Sequence, residues 1–273
     1  LQRSYALVDA RSPRRWAGAL YSLIQWQKLR RYEADVCRRA HQVLAVSETD
    51  ADALQRLVTD LDVTVIPNGI NTAQYEAGPS QWTREAGADQ RPTLVFTGKM
   101  DFRPNVDAVR WFAEAIWPRV RVEVPEAQFY AVGQRPHPQL DNLRADPSIT
   151  LTGWVDDMRP YITDATVYVA PLRMGSGKRL KLLEAMALGK AIVSTRLGAE
   201  GLAGEESTYQ STDIDPSGRT TSQSASDRPL MLVEDNDPVA FADSVVALLS
   251  DPARRNCLGI AARTFVQANY DWR

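Results

Sequence analysis

The sequence predicts an α/β fold in which helices cover both faces of an open parallel sheet. Short apolar, β-branched runs alternate with amphipathic stretches of helical period from residue 93 to residue 249. Four glycines follow these runs, namely Gly98, Gly133, Gly153 and Gly175. Right-handed crossovers bring the carboxyl ends of parallel strands to one edge of a sheet. We therefore expect these glycines to gather at the edge where open α/β sheets bind ligands.

Length, composition and charge exclude several classes of protein. The chain has 273 residues, 44% of them hydrophobic, which is enough for a buried core. A net charge of −2 gives no general reason to expect nucleic-acid binding. Cys37 and Cys257 show no metal-site spacing, which favours a reducing, cytoplasmic setting. No apolar run approaches the roughly 18 residues of a membrane span, and the start at Leu1 suggests a fragment.

The first 66 residues predict two helices and two short strands. A long helix over Trp16–Arg39 turns basic after residue 28, which predicts a solvated face or, alternatively, contact with an anionic membrane surface. Ser47 is suited to cap a helix over residues 49–61. The predicted strands are Val43–Val46 and Val63–Ile66.

The alternation of strands and helices begins after a polar stretch. Residues 67–91 have the Gly, Pro, Ser and Gln content of a linker. The strands that follow are predicted at Thr93–Thr97, Gln128–Val132, Ile149–Thr152, Thr166–Ala170, Ala191–Thr195 and Leu230–Val233. The helices are predicted at Val106–Val122, Leu140–Arg144, Asp156–Thr163, 178–188, Pro238–Leu249 and Pro252–Asn269. Residues 205–227 are polar and predict a surface insertion.

The most informative segment runs from Ala165 to Leu202 and predicts a strand, a glycine loop, a helix and a second strand. The loop contains Gly175, Ser176 and Gly177, and a glycine loop before a helix N-terminus is an anion site. Lys181 and Glu184 are three residues apart and share a face of that helix. A cation suits phosphate and a carboxylate suits sugar hydroxyls, so the pair predicts a nucleotide-sugar ligand.

With these motifs in place, the chain resembles the C-terminal part of a GT-B glycosyltransferase of the GT4 type, glycosyl transferases group 1. The resemblance is strongest to the branch associated with exopolysaccharide assembly. The segments that carry it are VIPNGIN at 65–71, FTGKMDFRPNVDAVRWF at 96–112, ITLTGWVDDMRPYI at 149–162 and VAPLRMGSGKRLKLLEAMALGKAIVSTRLGAEGL at 169–202.

The resemblance implies two Rossmann-like domains with different roles. Residues 1–66 would be the end of an incomplete acceptor-side domain, followed by the linker, and 92–257 would be the nucleotide-sugar donor domain. Residues 258–273 would form a C-terminal helix that is cut short. The implied reaction is transfer of a sugar, with retention, to a polysaccharide or lipid-linked acceptor hydroxyl. The setting would be cytoplasmic, with peripheral contact at the inner membrane face.

The resemblance also assigns roles to residues of the donor domain. Glu184 would accept hydrogen bonds from the nucleotide ribose, while Lys99, Arg103 and Lys181 would be the catalytic cations that stabilise the leaving diphosphate. Glu184 matches the second glutamate of the family's E-x7-E motif. The first glutamate of that motif is replaced here by Ser176, which leaves the identity of the sugar open. The remaining predicted donor-binding residues are Gly98, Gly133, Trp154, Val155, Gly175, Gly177 and Arg179.

No cofactor or metal is expected, because a UDP- or GDP-linked sugar would be a substrate. The two D-x-D sequences, at Asp60–Asp62 and Asp213–Asp215, lie in a turn and in the polar insertion, and we interpret them as accidental. Two other functions stay open. One is an inactive nucleotide-sugar-binding module, and the other is a GT-B nucleotide-sugar epimerase, which the two isolated histidines disfavour. For Trp154 the alternative to a base contact is packing in the core.

Overall fold

The computed structural model describes residues 16–75, 91–175, 180–202 and 229–272, arranged in two compact units. The first unit comprises residues up to Asn68 together with Met174–Lys178, and the second comprises Gly69–Arg173 and Arg179–Arg273. The predicted linker over 67–91 is therefore described only in part, and the predicted insertion over 205–227 lies outside the described residues. No helix in the described ranges is long and apolar enough to span a bilayer.

The first unit contains two helices and a two-stranded parallel sheet. Ser47 caps its second helix as predicted, because its Oγ accepts a hydrogen bond from Asp50 N at 3.1 Å. That helix ends four residues before the predicted Leu61, and Asp60 follows with the positive φ of a tight turn. The elements of this unit are helix α1 at Trp16–Arg39, strand β1 at Val43–Ala45, helix α2 at Glu48–Leu57 and strand β2 at Val63–Val65.

The second unit is built on a six-stranded, fully parallel sheet, which confirms the predicted α/β class. The strand order is β5-β4-β3-β6-β7-β8. The strands are β3 at Thr93–Thr97, β4 at Gln128–Val132, β5 at Ile149–Gly153, β6 at Val167–Ala170, β7 at Ile192–Thr195 and β8 at Met231–Val233. The α-helices are α3 at Arg103–Trp111, α4 at Trp117–Glu123, α5 at Arg159–Asp164, α6 at Leu180–Ala187, α7 at Pro238–Ser250 and α8 at Pro252–Tyr270.

Successive residues of the central strand pack into different layers of the core. In β3, Leu94 and Phe96 join an aromatic-rich cluster that includes Phe112, whereas Val95 joins a second cluster. The second cluster is completed by apolar residues of α6 and α8, such as Leu183. The sheet is thus covered on both faces, so the carboxyl ends of its strands are the part left for loops and a ligand.

Two helices depart from their predicted bounds for identifiable reasons. The helix predicted at Val106–Val122 starts at Arg103 and contains a π-helical segment, Phe112–Ile116, immediately before the turn that carries Pro118. Proline cannot donate the backbone hydrogen bond of a regular helix interior. Helix α5 begins at Arg159, three residues later than predicted, because Asp157 Oδ1 accepts a hydrogen bond from Arg159 N at 2.9 Å.

The end of helix α6 follows the prediction closely. Gly189 has φ of +65°, and its N–H donates to Met186 O at 2.9 Å. Lys190 N donates to Ala185 O at 3.0 Å, which completes a Schellman motif. Gly189 therefore ends the helix at the place that the sequence indicated.

The last helix confirms the bounds predicted from its amphipathic pattern, Pro252–Asn269, to within one residue. Helix α8 begins at Pro252, capped by Asp251, and it stops at Tyr270 without reaching Arg273. The chain then becomes extended, and Ile70 N donates to Tyr270 O at 2.8 Å. Thr72 Oγ1 also donates to Asp271 Oδ2 at 2.6 Å. These bonds replace the next helical turn, so the helix ends within one residue of the predicted Asn269, and the helical part of the segment 258–273 ends at Tyr270.

Candidate donor-binding site

A cleft of about 640 Å³ lies at the carboxyl edge of the six-stranded sheet. It is formed within the second unit by the loops after β3, β4 and β5, by one side chain of α6 and by the 3₁₀ turn Thr72–Tyr75. The residues that line it are Gln74, Tyr75, Gly98, Lys99, Gly133, Gln134, Trp154, Val155, Asp156, Asp157, Met158, Arg159, Ile162 and Glu184. The structure thus brings six of the predicted site residues together: Gly98, Lys99, Gly133, Trp154, Val155 and Glu184.

Backbone hydrogen bonds join the loops after β3 and β4 at the floor of the cleft. Gly98 N donates to Val132 O at 3.0 Å, and Met100 N donates to Gln134 O at 2.9 Å. Gly133 lies so close to the first loop that a Cβ atom built on it would be 1.8 Å from the Gly98 carbonyl oxygen. The floor is therefore built from main chain, which leaves room for a ligand to approach closely.

Lys181 lies beside Gly98 and is held by Asn105. Its Nζ donates to Asn105 Oδ1 at 2.8 Å, and Asn105 Nδ2 donates to Lys99 O at 2.9 Å. The ammonium also lies 4.2 Å from the centre of the Phe96 ring. A Cβ on Gly98 would come within 2.8 Å of Lys181 Nζ. The glycine thus allows this cation to reach the loop that follows β3.

Glu184 lies one turn further along α6 and faces Tyr75. The Tyr75 hydroxyl donates to Glu184 Oε1 at 3.2 Å. Burial raises the pKa of the Glu184 carboxyl, while this hydrogen bond and the Lys181 charge oppose the shift. Burial and the neighbouring carboxylate raise the pKa of Tyr75 to about 12, so its hydroxyl is protonated at neutral pH. Lys181 and Glu184 therefore lie one turn apart on a single helix, where Glu184 lines the cleft and Lys181, beside Gly98, is not among its lining residues.

The two other predicted cations occupy different environments. Lys99 lines the cleft, with its Nζ 3.5 Å from Asp101 Oδ1. Arg103 is half-buried in the first turn of α3 and is not among the residues that line the cleft. Of this predicted pair, only Lys99 is placed at the cleft wall.

The turn after β5 supplies an aromatic wall. Trp154 is 69% exposed, which shows that the alternative of core packing is wrong for this side chain. Val155, the next residue, packs against the second core cluster and also lines the cleft. An exposed indole on an anchored turn offers a flat apolar surface to a ring.

Part of the predicted glycine loop lies outside the described residues, namely Ser176, Gly177 and Arg179. Gly175, the last residue described before this gap, has φ of +114°, a backbone conformation that favours glycine. Among the residues that the structure describes, no three His, Cys, Asp or Glu side chains come together as metal ligands would. Asp60 lies in a turn of the first unit, and Asp213–Asp215 lies outside the described residues.

Sequence reasoning missed the contribution of the Thr72–Tyr75 turn and the loop before α5. Arg159 Nη1 donates to Gln74 O at 2.9 Å, and its Nη2 lies 2.8 Å from Asp157 Oδ2. The contact with Gln74 joins residues that are 85 positions apart, so no local pattern indicates it. The PNG turn that precedes Gln74 and Tyr75 was the available signal that the chain changes direction there.

The sequence matches two family models and several known proteins. The family model described as Glycosyl transferases group 1 matches residues 91–251, more than half of the chain, and the model Glycosyltransferase Family 4 matches residues 10–74. A phosphatidyl-myo-inositol mannosyltransferase of Mycolicibacterium smegmatis is 27% identical over 218 residues, which are 77% of this chain and 49% of the relative. An uncharacterized 44.6 kDa protein in the cps region of Klebsiella pneumoniae is 23% identical over 186 residues, which are 65% of this chain and 42% of the relative.

Solved structures match the fold. HepE of Anabaena, crystallised with UDP and glucose, superposes with a TM-score of 0.67 at 15% identity, covering 90% of this chain and 63% of HepE. The C-terminal domain of LpcC, a glycosyl transferase group 1 family protein of Francisella tularensis, gives a TM-score of 0.54 at 18% identity. The match covers 75% of this chain and 100% of the LpcC domain.

The parallel sheet with a loop-lined cleft at its carboxyl edge, together with these neighbours, defines an α/β protein of the GT-B class. Within that class, the chain belongs to the Glycosyl transferases group 1 family, which confirms the GT4 assignment. It spans about half the length of the mannosyltransferase relative.

Proposed function

We propose that this chain carries the donor-binding half of a retaining glycosyltransferase, which moves a sugar from a nucleotide-sugar to an acceptor hydroxyl. The observation that carries the proposal is the pairing of Lys181 and Glu184 on α6, at the edge of the sheet beside the glycine floor. The ammonium suits a diphosphate and the carboxylate suits ribose hydroxyls. In this arrangement the nucleotide lies across the helix with its phosphates toward Gly98.

The cations beside the glycine floor would stabilise the leaving diphosphate. In glycosyl transfer, negative charge develops on the diphosphate as its bond to the sugar breaks. Lys181 and Lys99 are positioned to oppose that charge without a divalent metal, and Asn105 holds the Lys181 ammonium in place before the ligand arrives. Arg103, in the first turn of α3, and Arg179 belong to the same proposal as supporting cations.

The nucleotide base would bind in the part of the cleft formed by the turn after β5. Trp154 offers the face of its indole and Val155 an apolar side chain, and the main chain at Gly133 lines the same cleft. The solved complex of HepE with UDP supports a uracil base, with guanine as the alternative. For the sugar, the sequence pattern of Gly175, Ser176 and Gly177 remains the prediction.

The acceptor belongs to the other half of the enzyme. We propose that residues 1–66 are the end of an acceptor-side domain joined by the 67–91 linker to the donor domain at 92–257, in agreement with the match at residues 10–74. The relative from a cps region supports a place in exopolysaccharide assembly, and the phosphatidyl-myo-inositol mannosyltransferase supports a lipid-linked acceptor. Such an acceptor would bring the basic end of α1 to the inner face of the membrane.

Titration of the chain with UDP and with GDP, by isothermal calorimetry, tests the proposal. We expect one of them to bind and the Glu184→Gln variant to bind it about tenfold more weakly, because an amide accepts hydrogen bonds from hydroxyls less strongly than a carboxylate. Failure of the folded chain to bind either nucleotide would refute the donor site. Binding without hydrolysis of any UDP- or GDP-sugar, in the full-length enzyme, would favour the inactive module.

The same variant should be more stable than the natural chain. Glu184 has a raised pKa in the folded state, so the folded chain binds more protons than the unfolded chain in the pH range just above the ordinary value of the carboxyl. Its contribution to the free energy of unfolding therefore falls as pH rises through that range. At pH 7 we expect Glu184→Gln to gain about 0.5–2 kcal/mol in urea unfolding, because the amide has no charge to bury and single stabilising substitutions typically have this size. A loss of stability would contradict a site built for a ligand.

A further inference from the structure

Tyr75 is fixed in the cleft by contacts that do not involve its own hydroxyl. It ends the 3₁₀ turn Thr72–Tyr75, whose Gln74 carbonyl accepts a hydrogen bond from Arg159 Nη1 at 2.9 Å. At the start of the turn, Thr72 Oγ1 donates to Asp271 Oδ2 at 2.6 Å. The Tyr75 ring packs against the core cluster that contains the apolar residues of α6. The position of the ring thus depends on the turn and on packing.

The hydroxyl of Tyr75 has one proton, and the proton is donated to Glu184 Oε1 at 3.2 Å. Its oxygen keeps acceptor capacity, and Tyr75 lines the cleft together with Glu184. The two side chains therefore present two acceptors next to each other. A ribose carries two vicinal hydroxyls on one face of its ring, which supply two matching donors.

We propose that Tyr75 is a specificity-determining residue of the nucleotide site, and that its hydroxyl oxygen accepts from one ribose hydroxyl while Glu184 accepts from the other. The inference rests on the proposed function, since it divides the ribose diol between two residues of that site. It follows that the pair selects ribonucleotides over deoxyribonucleotides, and that the contribution of Tyr75 depends on one particular hydroxyl of the ligand.

Affinities of three forms of the chain for three nucleotides test whether Tyr75 and Glu184 each bind one ribose hydroxyl. The affinities of the natural chain, of Tyr75→Phe and of Glu184→Gln are measured by calorimetry for UDP, 2′-deoxy-UDP and 3′-deoxy-UDP, or for the guanine series if GDP is the nucleotide that binds. We expect Tyr75→Phe to weaken the ribonucleotide about fivefold, the usual effect of one lost hydrogen bond. One of the two deoxynucleotides lacks the hydroxyl that Tyr75 would bind. The Tyr75→Phe variant and the natural chain should have equal affinity for that deoxynucleotide.

Tyr161→Phe is the matched control, because it removes a tyrosine hydroxyl from the second unit that does not line the cleft. It should leave the ratio between ribonucleotide and deoxynucleotide affinities unchanged. If the effects of Tyr75→Phe and Glu184→Gln vanish on the same deoxynucleotide, the Tyr75 hydroxyl only supports Glu184, and if Tyr75→Phe weakens all three ligands equally or none of them, the hydroxyl makes no contact with the ribose. Either result overturns the inference while the donor site stands. If the natural chain binds no nucleotide, the proposed function itself fails.

Discussion

Gly133→Ala is expected to destabilise the donor domain by about 3 kcal/mol or more and to abolish nucleotide binding. The added Cβ would lie 1.8 Å from the Gly98 carbonyl oxygen and 2.8 Å from the carbonyl carbon. Both are main-chain atoms, and Gly98 is itself tied to β4 by the hydrogen bond from its N–H to Val132 O. The neighbour therefore cannot move aside without breaking the floor of the cleft, and such overpacking costs typically 1–3 kcal/mol before backbone strain is added.

Backbone conformation adds to this cost. Gly133 has φ of +152°, which side-chain-bearing residues rarely adopt. Gly153→Ala is the matched control, because Gly153 is the last residue of the neighbouring strand β5, has φ of +73°, and a Cβ added there would meet no heavy atom within 4 Å. The Gly153→Ala variant has backbone strain but no steric clash, so we expect its free energy of unfolding to fall by only about 1–2 kcal/mol.

Urea unfolding of both variants separates the two contributions. If Gly133→Ala proves no less stable than Gly153→Ala, the close approach of the two loops is not as described. Nucleotide titration then gives the functional consequence. The Gly153 variant, which leaves the joined loops after β3 and β4 intact, should keep most of the affinity, whereas the Gly133 variant should lose it.

The sequence predicted the parts of this protein that depend on local patterns. Alternating strands and helices indicate the parallel sheet because each run of residues has its own period, and parallel topology then brings the strand ends together. Gly189 ends α6 as expected, since a Schellman motif involves only residues within one turn of the helix end. Lys181 and Glu184 face the same way for an equally local reason, their spacing of three residues on a helix.

The parts that escaped prediction depend on contacts between distant segments. Tyr75 meets Glu184 across 109 residues, and Arg159 meets Gln74 across 85. The extended residues after α8 are likewise placed by Ile70, which pairs with Tyr270 and Asp271 from the other end of the chain. No pattern within a single segment encodes such a pairing, because each partner taken alone has an ordinary turn or helix sequence.

Lys181→Met should reduce the affinity for the nucleoside diphosphate about tenfold or more while leaving the affinity for the nucleoside unchanged. A hydrogen bond to a charged group is worth about 1.5–3 kcal/mol, and each 1.4 kcal/mol is a factor of ten. Methionine keeps the unbranched side chain against the Phe96 ring, where sulfur also makes a favourable contact, so the packing of α6 is retained. The substitution thus removes mainly the ammonium group.

The comparison of UDP with uridine makes this experiment specific. Removal of the ammonium also takes a donor from the buried Asn105, so some stability is lost, and unchanged uridine binding shows that the cleft is still formed. Lys28→Met is the control for overall charge, since it removes one positive charge from the exposed face of α1. The Lys181 effect should also shrink at high salt, because it is electrostatic. Equal losses for UDP and uridine would assign Lys181 a structural role and leave the diphosphate without its principal cation.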